Sequence, residues 1–186
     1  MSKMTTKNMV LAAILTALVV ILQFVGATIK LGPISISTVL VPIVIGAASC
    51  GIGIGAWLGF VFGVIVLWSG DAAAFLAVNV VGTILTVLAK GTLCGLLAGV
   101  TYKALEKTNK YVAVCAAALV CPIVNTGVFV LGCFAFFMDT ITQWAGGTDA
   151  VQYIFVAMIG LNFLIETLVN IVLSPVIVRL IDIRKK

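Results

Sequence analysis

An all-α integral membrane protein, a bundle of six transmembrane helices with both termini cytoplasmic, is the fold class this sequence predicts. Three observations carry it. Of 186 residues, 63% are hydrophobic and 9% charged, against about a quarter charged in soluble domains. The apolar residues fall into runs of the roughly 20 needed to cross a bilayer. The cations collect in alternate connections, as the positive-inside rule requires.

The first run, residues 9–27, is long enough to span, and Lys30 with Gly32 and Pro33 after it makes a poor small-residue cleavage site. It therefore reads as a helix and not as a secretory signal. The second and third runs, 34–51 and 52–68, meet across the glycine-rich, uncharged stretch 47–55. One long broken helix over 34–68 would reduce the count to five. The fourth, fifth and sixth runs are 79–102, 111–138 and 153–180.

With six spans, Lys3, Lys7, Lys103, Lys107, Lys110, Arg179, Arg184, Lys185 and Lys186 share one side. Lys30 falls opposite, with Asp71, Asp139 and Asp149. The whole chain, 1–186, reads as a single bundle in the cell membrane. Its net charge of +5 follows from this topology and calls for no nucleic-acid partner, while the basic tail can also touch anionic lipid of the bilayer.

Small residues recur at fourfold spacing, which places them on one helix face where another backbone can approach closely. Gly51, Gly55, Gly59 and Gly63 form one ladder and Gly91, Gly95 and Gly99 a second. Both read as packing inside the bundle. Ala13 and Ala17 form a shorter pair that would suit an external partner helix.

Catalysis finds little support. There is no histidine, the commonest acid–base group and metal ligand. No glycine-rich phosphate loop of the GxxxxGK[ST] form occurs, so any ATP-driven step needs another subunit. The five cysteines lack metal-ligand spacing and read as packing residues. Neither a cofactor nor a metal is expected, and the chain is not expected to be an enzyme.

A polar set inside the apolar runs is the exception. A lone charge at a bilayer centre costs about 2.5–3.5 kcal/mol on insertion scales, and such residues mark function by default. Counting ~1.5 Å per residue from the outer helix ends, Lys90 lies ~16 Å down the fourth helix and Asn125 ~20 Å down the fifth. On the sixth, by the same rise, Asn162 lies ~14 Å and Glu166 ~20 Å down, one turn apart on a shared face. Two readings are open: Lys90 and Glu166 brace each other as an interhelical ion pair, or they form a ligand site with the two asparagines. Asn79, at the outer start of the fourth helix, is a further candidate for lining a site, though helix capping explains it equally well. Trp68 and Trp144 read as interfacial anchors or as parts of a cap over an outward cavity, with Gly146 and Gly147 beside Trp144 letting the cap move.

The chain resembles the substrate-binding S component of energy-coupling-factor vitamin transporters, in particular the pantothenate and folate group. The matching pieces are Ala13-Ile-Leu-Thr-Ala17, Leu31-Gly-Pro-Ile-Ser-Ile-Ser37, the glycines from Gly46 to Gly63, Val124-Asn-Thr126, and Asn162-Phe-Leu-Ile-Glu166 with Pro175. Their order and spacing carry the resemblance over nearly the whole chain. It implies a small membrane subunit that captures a vitamin from outside and docks on a transmembrane coupling protein bearing two cytoplasmic ABC ATPases. It also implies that Ala13 and Ala17 meet the coupling protein, that the loaded subunit topples in the membrane, and that loops 30–35, 68–77 and 139–152 cover the ligand. The Gly32–Pro33–Ile34–Ser35 stretch looks most like pantothenate-type members; folate would want a longer, aromatic-lined cleft. A self-sufficient channel or facilitator, with Lys90 and Glu166 along a through-path, is the competing expectation.

Overall fold

The computed structural model describes residues 6–28, 30–31, 34–35 and 38–185, and the side chains of 6–28 and 38–182. Lys3, Lys30, Arg184, Lys185 and Lys186, counted above in the charge distribution, have side chains outside the described ones, as do residues 31–37.

Helix α1 (Thr6–Thr28) is followed by a two-residue antiparallel pair, β1 (Lys30–Leu31) and β2 (Ile34–Ser35). Helices α2 (Leu40–Cys50) and α3 (Ile52–Trp68) come next, then the short α4 (Ala73–Leu76) and the long α5 (Val80–Leu105) and α6 (Lys110–Phe136). Short helices α7 (Met138–Trp144) and α8 (Ala150–Gln152) lead into a π-helical stretch, Tyr153–Gly160, continuous with α9 (Leu161–Lys185).

Among the described residues, four helical stretches are long and apolar enough to cross a membrane: α1, α5, α6 and Ala150–Asp182. Helices α2 and α3 are apolar but shorter, with 11 and 17 residues. The expected second span over 34–51 is therefore corrected to an 11-residue helix. Ile34 and Ser35 pair as a strand instead, in keeping with the β-branched, period-two alternation of the sequence from Ile34 to Ser37. The break between α2 and α3 falls at Gly51, whose φ of 102° suits a residue without Cβ.

The long helices alternate in direction. Gly55 of α3 faces Gly95 of α5, Gly59 faces Gly91, and Gly63 faces Val87, so α3 and α5 run antiparallel. Gly82 and Gly132 meet Phe136 and Thr86 across the antiparallel α5–α6 pair. A Cβ on Gly59 would collide with the carbonyl oxygen of Gly91, and one on Gly95 with that of Gly55. Gly55, Gly59 and Gly63 with Gly91, Gly95 and Gly99 thus do what their spacing predicts, bringing two backbones into direct contact; Gly51, first of its ladder, instead makes the exposed turn between α2 and α3 and packs against nothing.

Short α2 sits at the centre, touching α1, α3, α5, α6 and α9. This position explains its uniformly apolar sequence, because every face meets protein. Leu40, Ile43 and Val44 join Leu58, Phe62, Cys94, Ala98, Ala117, Cys121 and Ile177 in a fully buried core.

One end of the bundle carries the α3–α4–α5 connection and helices α7 and α8. The other carries the α2–α3 and α5–α6 turns with Lys7, Lys103, Lys107, Lys110 and Arg179. There Asn109 caps α6 by accepting from the N–H groups of Tyr111 and Val112, and Lys110 pairs with Asp182 of α9.

Candidate functional site

Just below the end with α4 and α7, two small chambers open side by side, the first between α5, α6 and α9 and the second between α3, α4, α5 and α6. Asn125, Thr126 and Phe129 of α6, Lys90 of α5, and Asn162, Phe163 and Glu166 of α9 bound the first, with Asp71 above. Val66, Ala72, Phe75, Thr83, Thr86, Val87 and Phe137 bound the second, which shares Asp71, Lys90 and Phe129 with the first. As space open to the centre of a water-sized sphere, they measure about 40 and 30 Å³. Each has room for a few water molecules.

Four residues chosen from the sequence meet here. Asn125, Asn162 and Glu166 are 5%, 6% and 5% exposed, and Lys90 reaches in from α5. They do so because polar residues in apolar helices face the bundle interior, where partners exist. The ammonium of Lys90 lies 5.6 Å from the ring centroid of Phe62 and 5.4 Å from that of Phe129, within range of attraction by both ring faces. The two charges line one cavity, with the ammonium seated between aromatic rings.

Helix α9 presents more polarity than its sequence suggested. Asn170 and Ser174 continue the line of Asn162 and Glu166 at fourfold spacing, and all four are buried. Asn170 donates to the carbonyl of Glu166 at 2.8 Å, and Ser174 to that of Asn170 at 2.9 Å. Such bonds to the preceding turn let polar side chains stay inside a helix bundle.

Asp71 was expected only as a loop acid. It lies on both chambers, and its Oδ2 accepts from Nε2 of Gln23 at 3.3 Å. Gln23, 1% exposed, is a lone amide on the inner face of α1, and this bond ties α1 to the cavity. Phe129 was also missed, since an aromatic in an apolar helix offers no contrast.

Aromatic rings seal the chambers toward the near end. Phe75 of α4 stands edge-on to Phe129, Phe137 and Trp144, with centroids at 5.5, 5.1 and 5.5 Å. Trp144 thus belongs to the cap through Phe75. Trp68 does not line either chamber; it is 79% exposed at the end of α3. Asn79 caps α5, its side-chain oxygen accepting from Gly82 N–H at 2.9 Å, and is absent from the lining. Ala13 and Ala17 lie on the exposed side of α1, along a shallow groove with Met9, Ile54 and Trp57. The indole of Trp57 donates to Thr16 Oγ1 at 3.3 Å on its floor.

Among known proteins, the model of the family described as "ECF transporter, substrate-specific component" matches residues 7–178. No curated protein and no solved structure matches.

Proposed function

The chain belongs to the family of ECF transporter substrate-specific components, and on that premise we propose that it captures pantothenate from outside the cell and delivers it by docking on a coupling protein with two ATPases. The family is one of transporter substrate-binding components and not of enzymes; membership implies a vitamin ligand and an ECF module with ATPases. The observation that carries the reading is the cavity, where Lys90, Asn125, Asn162, Glu166 and Asp71 converge under an aromatic cap.

Pantothenate suits this chemistry. Its carboxylate finds the ammonium of Lys90, its hydroxyls and amide find the asparagines and carboxylates, and its branched carbons find Val66, Ala72 and Val87. Six spans, with α2 and α3 counted and both termini on the side of Lys103 and Lys107, put the cavity in the outer half of the bilayer. The chain then sits in the cell membrane with its cap outward. The α1 face with Ala13 and Ala17 serves as the docking surface, since small side chains let a partner helix approach. The tightly filled core of Ile43, Ala98, Cys121 and Ala117 between the chambers and the far end supports a closed pocket over a channel.

The chambers as they stand are too small for a vitamin, so loading requires the cap of Phe75, Trp144 and Phe129 to part. Thermal-shift titration of the purified chain with pantothenate, folate, biotin, thiamine, riboflavin and nicotinate tests the reading. Pantothenate should raise the melting temperature most. A flat response to all six would overturn it, and solute leakage through liposomes holding this chain alone would favour a channel.

A further inference from the structure

The two chambers differ in chemistry and share a movable wall. Asn125, Thr126, Asn162 and Glu166 make the first polar, while Val66, Ala72, Val87 and Phe137 make the second largely apolar. Phe129 stands between them, its ring edge-on to Phe75 on one side and 5.4 Å from the Lys90 ammonium on the other. Neither chamber alone holds more than a small group. Phe129, Lys90 and Asp71 border both, and a rotation of the Phe129 ring would join them.

A second observation gives the first chamber a direction. Oδ1 of Asn125, in a residue 5% exposed, accepts no hydrogen bond among the described residues. Buried acceptors are met in the great majority of cases, so this atom calls for an N–H or O–H group from whatever fills the chamber. Displacing Phe129 also removes one of the two ring faces beside the Lys90 ammonium, which makes room there for a ligand oxygen.

We infer that the ligand spans both chambers with parts of opposite chemistry. A part that carries hydrogen-bond donors seats against Asn125; a compact, branched apolar part seats beside Val87; a carbonyl or carboxylate oxygen meets Lys90 where Phe129 turned aside. This rests on the reading of the chain as a vitamin-binding subunit. Phe129 is then the residue that sets which molecules fit, since only a ligand with both parts gains enough to move it.

Calorimetric titration of the full chain in detergent tests this, with pantothenate or, should another member of the six-vitamin panel bind more tightly, with that one. Asn125→Leu and Val87→Phe should each weaken binding of the same probe at least tenfold. Asn125→Ser and Val87→Leu, milder changes of size, should do so about threefold and cover failure of the first pair to fold. Phe129→Leu should raise the association rate at least threefold, because no ring has to be displaced before the ligand enters. If variants in one chamber abolish binding while those in the other leave the dissociation constant within twofold, the ligand occupies one chamber and the inference fails. Silence of the unaltered chain toward every probe overturns the vitamin-binding reading itself.

Discussion

Two of the faces by which α5 meets protein are built on opposite principles. Toward α3 it offers Gly91, Gly95 and Gly99, and the backbones touch with no side chain between them. Toward α6 it offers Thr83, Thr86 and Lys90, and space opens beside them. The first face has one arrangement, because any added atom strikes a carbonyl. The second can rearrange, because aromatic rings and long side chains with alternative rotamers form its walls. The difference teaches how a small bundle holds a polar site in lipid: one seam is made rigid so that the other can be loose without losing register.

The comparison breaks most visibly at the seam. Gly59→Leu should cost more than the ~1–3 kcal/mol typical of overpacking, because a backbone carbonyl cannot step aside, and should abolish recovery of a monodisperse protein in size-exclusion chromatography. Gly127→Ala, at a helical position with nothing within 4 Å, should instead stabilise by about 0.5–1 kcal/mol.

The loose face responds in affinity. Lys90→Met removes an ammonium whose burial in a bilayer costs about 2.5–3.5 kcal/mol, so thermal stability should hold or rise. Ligand affinity should fall tenfold or more, which corresponds to ~1.4 kcal/mol. A loss of stability ahead of affinity would favour the ion-pair brace over the ligand site. Gln23→Leu keeps the bulk of the side chain and deletes its bond to Asp71. Vitamin binding should weaken about three- to tenfold, in line with the ~1 kcal/mol of a hydrogen bond, with the melting temperature changing by only a few degrees. Farthest from both faces, Lys110→Ala deletes an ion pair whose carboxylate is half exposed. It should cost under about 1 kcal/mol and leave affinity unchanged; a larger effect would mean that the far end is coupled to the cavity.

What could be read from the sequence follows the same division. The glycine ladders were legible because close backbone approach needs small residues at a fixed period. Asn125, Asn162 and Glu166 were legible because polarity inside an apolar run contrasts with its surroundings. Lys90 was legible for the same reason, but its depth alone could not say which way it points around α5, nor that two aromatic rings lie beside its ammonium. Asp71 was illegible because an acid in a loop is ordinary; its importance comes from Gln23, 48 positions earlier in the chain. Asn79 shows the reverse, a polar residue at a helix start that serves the backbone and not the cavity. The start of α2 was misplaced because an apolar run has the same hydropathy whether it is helical or extended.

The polar line on α9 has a consequence for biogenesis. Asn162, Glu166, Asn170 and Ser174 make it costly for this helix to leave the translocon for lipid by itself, and it is synthesised after α1, α5 and α6. By then α5 and α6, which supply the opposing walls, are already in the membrane. The order of elements along the chain therefore lets the costly helix arrive when its shelter exists. A chain permuted to begin with α9 should be inserted poorly and degraded early, even though its finished fold would contain the same contacts.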